Sequence, residues 1–268
     1  MTTLLHRRLT SEQLNELIDT SPREAVSLTD DHRRSLTSRF RAVSATQHRR
    51  LDAWAVEQAG RPATPFTWRP SSARRAIGNA ALRRYLAAPT KTMVGCVEEA
   101  IDDQLLRAAS GYARAGSLAS WLTTLSRPVH GLLVAEALNW ATQFLDVADG
   151  ITSSWQVPAS DAYYDVAAAR TTLRARRDLV VLGDGSRVVL RLRGGAPGKS
   201  AGPGLRADLT IDTLANLEGV APSRFIGLWP DAGVMLCVDA TMEDLRAGAR
   251  DLVRTAVVQR RTRLSLAA

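Results

Sequence analysis

Lysine is nearly absent. Only Lys91 and Lys199 stand among the 35 basic residues, so the other 33 are arginine. A GC-rich genome produces such a skew without any function. The formal charge of +8 and a pI near 10.4 nevertheless favour an anionic partner such as nucleic acid. Cysteine is as scarce. Cys96 and Cys237 each sit in an apolar context 141 positions apart. That distance excludes a zinc ligand pair, and the two read as buried free thiols of a reducing compartment. No apolar run reaches bilayer length, so no transmembrane helix is expected. The N-terminal MTTLLHRRLTSEQL has only a short apolar patch and no cleavage-like site, so no signal peptide is expected and a cytoplasmic protein is. There is no internal repeat. The four histidines, His6, His32, His48 and His130, lie in the first half without a nucleophile motif, which leaves no Ser-His-Asp arrangement.

What is present fits a globular protein: 268 residues, 45% apolar and 23% charged, enough to bury a core in one large domain or two small ones. Residues 1–60 read as a helical N-terminal segment. Thr10 or Ser11 can cap a first helix with the stripe Leu14, Leu17 and Ile18, and Ser21-Pro22 breaks it. From Thr29 to Gly60 a second helical stretch carries Arg33, Arg34, Arg39, Arg41, His48, Arg49 and Arg50. It reads as a solvated face, with a basic helix against phosphates as the functional alternative. The Pro-rich connector Gly60–Pro70 separates it from a domain over 61–268, with a helical part at 71–150 and a hairpin and sheet core at 165–268.

In the helical part Ser71-Ser72 can cap SARRAIGNAALRRYLAA, which Pro89 closes. Met93–Ala113, a short piece around Leu118–Leu125 and HGLLVAEALNWATQFLDVA follow. Glu98, Glu99, Asp102 and Asp103 read as a solvated acidic face, since no His is near and Cys96 reads as a buried thiol. Glu136, among Val134, Leu138 and Trp140, is either a helix-surface residue or a site residue. Trp68, Trp121, Trp155 and Trp229 could offer a partner surface but read as core. From Leu173 strands are expected: Leu173–Leu182, a turn at Gly183-Asp184-Gly185, and Arg187–Arg193. The loop GGAPGKSAGPG, a helix Leu205–Glu218 stopped by Gly219, strands Ser223–Trp229 and Gly233–Val238, and a last helix capped by Thr241 complete the chain.

The stretch LRARRDLVVLGDGSRVVLRLRGG (173–195) resembles the hairpin of the RecB-like branch of the PD-(D/E)xK nuclease superfamily. The following ADLTIDTLANLEGVAPSRFIGLWPDAGVMLCVDATMEDL resembles that family's helix, strands and last helix, about 95 residues in all. The resemblance implies an α/β fold with a restriction-endonuclease-like core, a mixed sheet flanked by helices, preceded by a helical N-terminal half. The family pattern sets an aspartate on one strand, then Asp/Glu-x-Lys on the next. Two carboxylates hold Mg²⁺, with the lysine on the same face. Here the aspartate is Asp178, but the second acid falls on Arg191, the lysine on Arg193 and the preceding glycine on Ala175. Asp208 and Asp212 stand at the spacing of the family's Gln-x-x-x-Tyr. His130 is a weak match to an upstream histidine.

Three functions remain open. The first is a catalytically degenerate member that binds DNA, or a DNA-processing or defence complex, without cleaving. It uses no cofactor and binds through Arg176, Arg191, Arg193 and Lys199. The second is an active Mg²⁺-dependent deoxyribonuclease with a relocated acid, drawing on Asp178, Glu136 and Asp208. The third is a structural or regulatory interaction module. Gly194–Ser200 also resembles a phosphate-binding P-loop ending in Lys199, with Val234–Asp239 as its second strand. The spacing is one residue short, Arg193 stands where the first glycine belongs, and Ala201-Gly202-Pro203-Gly204 follows where a helix is required, so a flexible loop is expected.

Overall fold

The computed structural model describes residues 5–43, 48–59, 67–88, 90–166, 169–183 and 186–267. Asp184 and Gly185 of the expected turn, most of the Pro-rich connector and Pro89 lie outside them. The chain divides into two compact units, Met1–Ala63 with Ile151–Ala268, and Thr64–Gly150. The first 60 residues are therefore not a helical segment apart: they belong with the sheets. Among the described residues no helix is long and apolar enough to cross a membrane.

The discontinuous unit is mixed α/β. Its main sheet is built from β1 (Leu5–Arg8), β3 (Ser154–Gln156), β6 (Leu179–Gly183), β7 (Ser186–Leu192), β8 (Arg224–Trp229) and β9 (Val234–Asp239). The order is β1-β9-β8-β7-β6-β3. Only β7 and β8 run parallel, and the crossover between them is α8 (Ala201–Ala215). A smaller sheet has the order β2-β5-β4, from β2 (Arg49–Asp52), β4 (Ala162–Val166) and β5 (Thr171–Ala175), with β2 parallel to β5. The expected long strand Leu173–Leu182 is thus two strands in different sheets, joined by Arg176-Arg177-Asp178. The expected basic helix Thr29–Gly60 is α2 (Asp30–Ser38), a 3-10 turn (Arg39–Val43), β2 and α3 (Ala53–Glu57).

Caps and periodicity carry the long helices. Thr10 accepts from Gln13 N–H at 3.2 Å to start α1 (Ser11–Asp19), whose buried face is Leu14, Leu17 and Ile18. Thr241 accepts from Asp244 N–H at 3.1 Å at the head of α9 (Met242–Ala267). α8 begins at Ala201, four residues earlier than expected, and absorbs Gly202, Pro203 and Gly204. A proline in the first helical turn costs no hydrogen bond. Twelve of the residues of α8 are buried. It packs on β4 and β5 of the small sheet, on β8 and β9 of the large one, and on α3 and α9. The core joins Leu51, Leu173, Leu205, Leu209, Phe225 and Leu252. α8 and α9 approach closely at Gly248, where a Cβ would press on Thr210 and the backbone of Arg206.

The Thr64–Gly150 unit is helical: α4 (Pro70–Ala87), α5 (Met93–Ala109), α6 (Leu118–Leu122) and α7 (Arg127–Ala148). Its own core holds Ile77, Val97, Ile101, Leu122 and Leu133. Glu99 and Asp103 of the acidic face on α5 pair with Lys91 and Arg84 at the surface. Cys96 and Cys237 are both buried and free. Burial pushes the Cys237 thiol up to about 11.

Candidate functional site

Alternation along β7 turns Arg187, Arg191 and Arg193 to one side of the sheet. α8 crosses that side and offers Asp208 and Asp212, one helical turn apart. Arg187 donates to Asp212 at 2.7 Å. Arg191 donates to Asp208, which is fully buried. Arg193 lies 3.6 Å from the same Asp208 oxygen and pairs with Glu57 at the end of α3. Its guanidinium carbon also stands 5.3 Å from the centre of the Trp229 ring. Gly204 on α8 makes room for Glu57, since a Cβ there would overlap the carboxylate. Arg177 adds a longer contact to Asp212, at 3.7 Å.

Asp178 sits immediately before β6. Leu179 faces Leu190 in the hairpin, and Asp178 N–H donates to Leu190 O at 3.0 Å, which sets Asp178 beside Arg191. Its carboxylate is nonetheless held by others. One oxygen accepts from Arg176 Nε at 2.9 Å, and the second accepts the backbone N–H of Leu192 at 2.8 Å. The direct ion pairs here are thus Arg176–Asp178 and Arg191–Asp208.

The consequence is a closed charge ladder. Side-chain exposure is 12% for Arg191, 6% for Arg193, 3% for Asp178 and none for Asp208. Burial lowers the Arg191 and Arg193 guanidiniums to about 10, and both stay cationic at neutral pH. Such pairs are expensive to break but contribute little net stability relative to apolar packing. As nucleic-acid contacts Arg191 and Arg193 are covered and ion-paired from within, although Arg191 Nε carries no hydrogen bond, and Arg176 is spent on Asp178. Lys199 is exposed in the loop before α8. Glu136 is exposed on α7 in the helical unit.

The donor set does not fit Mg²⁺. Where the resemblance implies an acid and a lysine, two guanidiniums stand, and the carboxylates nearby already neutralise arginines. The loop before α8 does run directly into a helix, which removes one objection to a phosphate loop. However, Gly195 N–H already donates to the Asp231 carboxylate at 2.8 Å, so that amide is filled by the protein's own anion.

Sequence reasoning missed Glu57, Arg187 and Arg224. Arg224 is buried on β8, pairs with Asp239 and donates to Leu17 O at the end of α1. Arg49, read as part of a basic face, is buried: it donates to Thr171 Oγ1 at 2.9 Å and Ala256 O at 3.1 Å, tying β2 to β5 and α9. No family model matches the chain, and no curated protein matches it.

Proposed function

We propose that this chain is a catalytically silent member of the restriction-endonuclease-like fold that binds DNA without cleaving it. The fold reading is supported by the connection pattern. Strands β3, β6 and β7 pair antiparallel in turn, the crossover α8 follows, and β8 returns parallel to β7. The hairpin motif then falls where such a core keeps its chemistry, at Asp178 and the end of β7. The observation that carries the silent reading is the Arg191–Asp208 pair. A cation fixed at the second acid position repels a divalent metal and cannot generate hydroxide. The DNA reading is supported by the net charge of +8. The ladder does not account for that excess, because its arginines are matched nearly one for one by Asp178, Asp208, Asp212 and Glu57.

The test is binding of labelled single- and double-stranded DNA across a salt series, with Mg²⁺ or EDTA, and the products run on a gel. Binding that weakens with salt, ignores EDTA and leaves DNA intact is expected. Mg²⁺-dependent cutting that Asp178→Ala abolishes would overturn the silent reading. Absence of binding would overturn the DNA reading and leave an interaction module.

A further inference from the structure

Part of the positive charge that the ladder leaves over lines one groove. Along α9, Arg246, Arg250 and Arg254 recur every fourth residue and are exposed. That period places them on one face, about 6 Å apart along the helix axis. Opposite them stands Arg39 at the start of the 3-10 turn, with Ser35 of α2 beside it. Between the two walls runs an open groove of about 340 Å³, lined by Ser35, Leu36, Arg39, Arg246, Arg250 and Val253, with Ala249 at its floor.

Two acids near the groove in sequence, Asp251 and Asp31, are already engaged. Asp251 lies 3.6 Å from Arg206 and 3.7 Å from Arg254. Asp31 pairs with Arg34. Among the described residues Arg39, Arg246 and Arg250 make no ion pair. Arginines held without partners around one depression repel one another, and an anion relieves that repulsion.

We infer that this groove is where the chain holds the phosphodiester backbone of nucleic acid, with Arg39, Arg246 and Arg250 as the contacting cations. The inference rests on the DNA-binding reading above and moves the contact away from the hairpin arginines. The chemistry of the lining selects the ligand. The three guanidiniums offer only donors, and Ser35 supplies the one side-chain hydroxyl. A phosphodiester brings only acceptors, and a planar guanidinium meets two of its oxygens at once. An acidic peptide also brings backbone N–H groups, for which this lining has almost no acceptors. The repeat along α9 suits a polymer with regular charge. No Asn, Gln or acid lines the groove to read base edges, so binding is independent of sequence.

The experiment compares the full chain with two triple variants of equal charge. One is Arg39→Ala/Arg246→Ala/Arg250→Ala. The other removes Arg8, Arg23 and Arg50, exposed arginines outside the groove. Thermal melts confirm that both fold. The groove variant is expected to bind DNA about tenfold more weakly or worse at about 0.1 M salt. The slope of log affinity against log salt should fall by about 2 to 3, close to one per lost phosphate contact. The outside variant should keep a slope within about 1 of the parent. Equal losses in both variants would overturn the groove while leaving DNA binding in place. A parent chain that binds no DNA would overturn both readings. Polyglutamate bound by the parent more tightly than DNA, and lost in the groove variant, would replace nucleic acid by an acidic protein partner.

Discussion

Asp208 shows what a buried carboxylate does when its partners are guanidiniums rather than a metal. It has no exposed surface, and Arg191 and Arg193 both lean on one of its oxygens. Removing it leaves the buried Arg191 without its direct ion-pair partner, with only the longer-range charges of Asp178 and Asp52 to answer it. Asp208→Ala should therefore cost about 3–5 kcal/mol, the usual penalty for an orphaned buried charge. Removing the pair together is different. Asp208→Leu with Arg191→Met takes away both charges and fills much of the volume. The double variant should recover most of the loss. Urea unfolding midpoints of the single and double variants check this. Additive losses would mean that the two side chains do not act as a pair.

At the scale of the elements, α8 and α9 form the spine on which both sheets of the discontinuous unit rest. Their approach depends on Gly248. A methyl group there would meet Thr210 Oγ1 and, more seriously, the backbone carbonyl of Arg206, which cannot turn aside. Gly248→Ala raises helix propensity on an isolated helix, by about 1 kcal/mol. Here it should instead destabilise by about 1–3 kcal/mol, because the helices must part. A lowered midpoint in thermal unfolding is the expected result, and a raised one would contradict the packing described. The helices themselves were legible in the sequence, through the Thr10 and Thr241 caps and the stripe of α1. β1 and β2 were not. Leu5–Arg8 reads LHRR and Arg49–Asp52 reads RRLD, and neither has strand propensity worth the name. Each is a strand because a distant partner, β9 or β5, supplies the pairing. The same holds for the site. That Arg191 and Arg193 share a face follows from the period of two, and Asp178 beside the hairpin follows from the turn. Which carboxylate each arginine takes depends on where α8 and α3 come to lie, and local pattern does not carry that information.

At the scale of the whole molecule, the chain leaves one unit and returns to it. Strands β1 and β2 are made before Thr64, and every other strand after Gly150. The discontinuous unit therefore cannot complete its sheets until the intervening helices have been synthesised. The helical unit is continuous, and its contacts are local. It has a core of its own, from Ala73 and Ile77 on α4 to Leu133 and Ala137 on α7. Trp140 is 2% exposed and donates to Asn79 Oδ1 at 3.1 Å, a buried polar pair satisfied inside the unit. A segment with local contacts and an internal core has what independent folding needs, although at this size its stability is small. Residues 64–150 expressed alone should be helical by circular dichroism and melt cooperatively. The emission of Trp140 should shift to the red as the core opens. A fragment without a cooperative transition would mean that the helical unit borrows its stability from the rest of the chain. A folded fragment would assign it the role of an insertion that matures first, while β1 and β2 wait for β9 and β5.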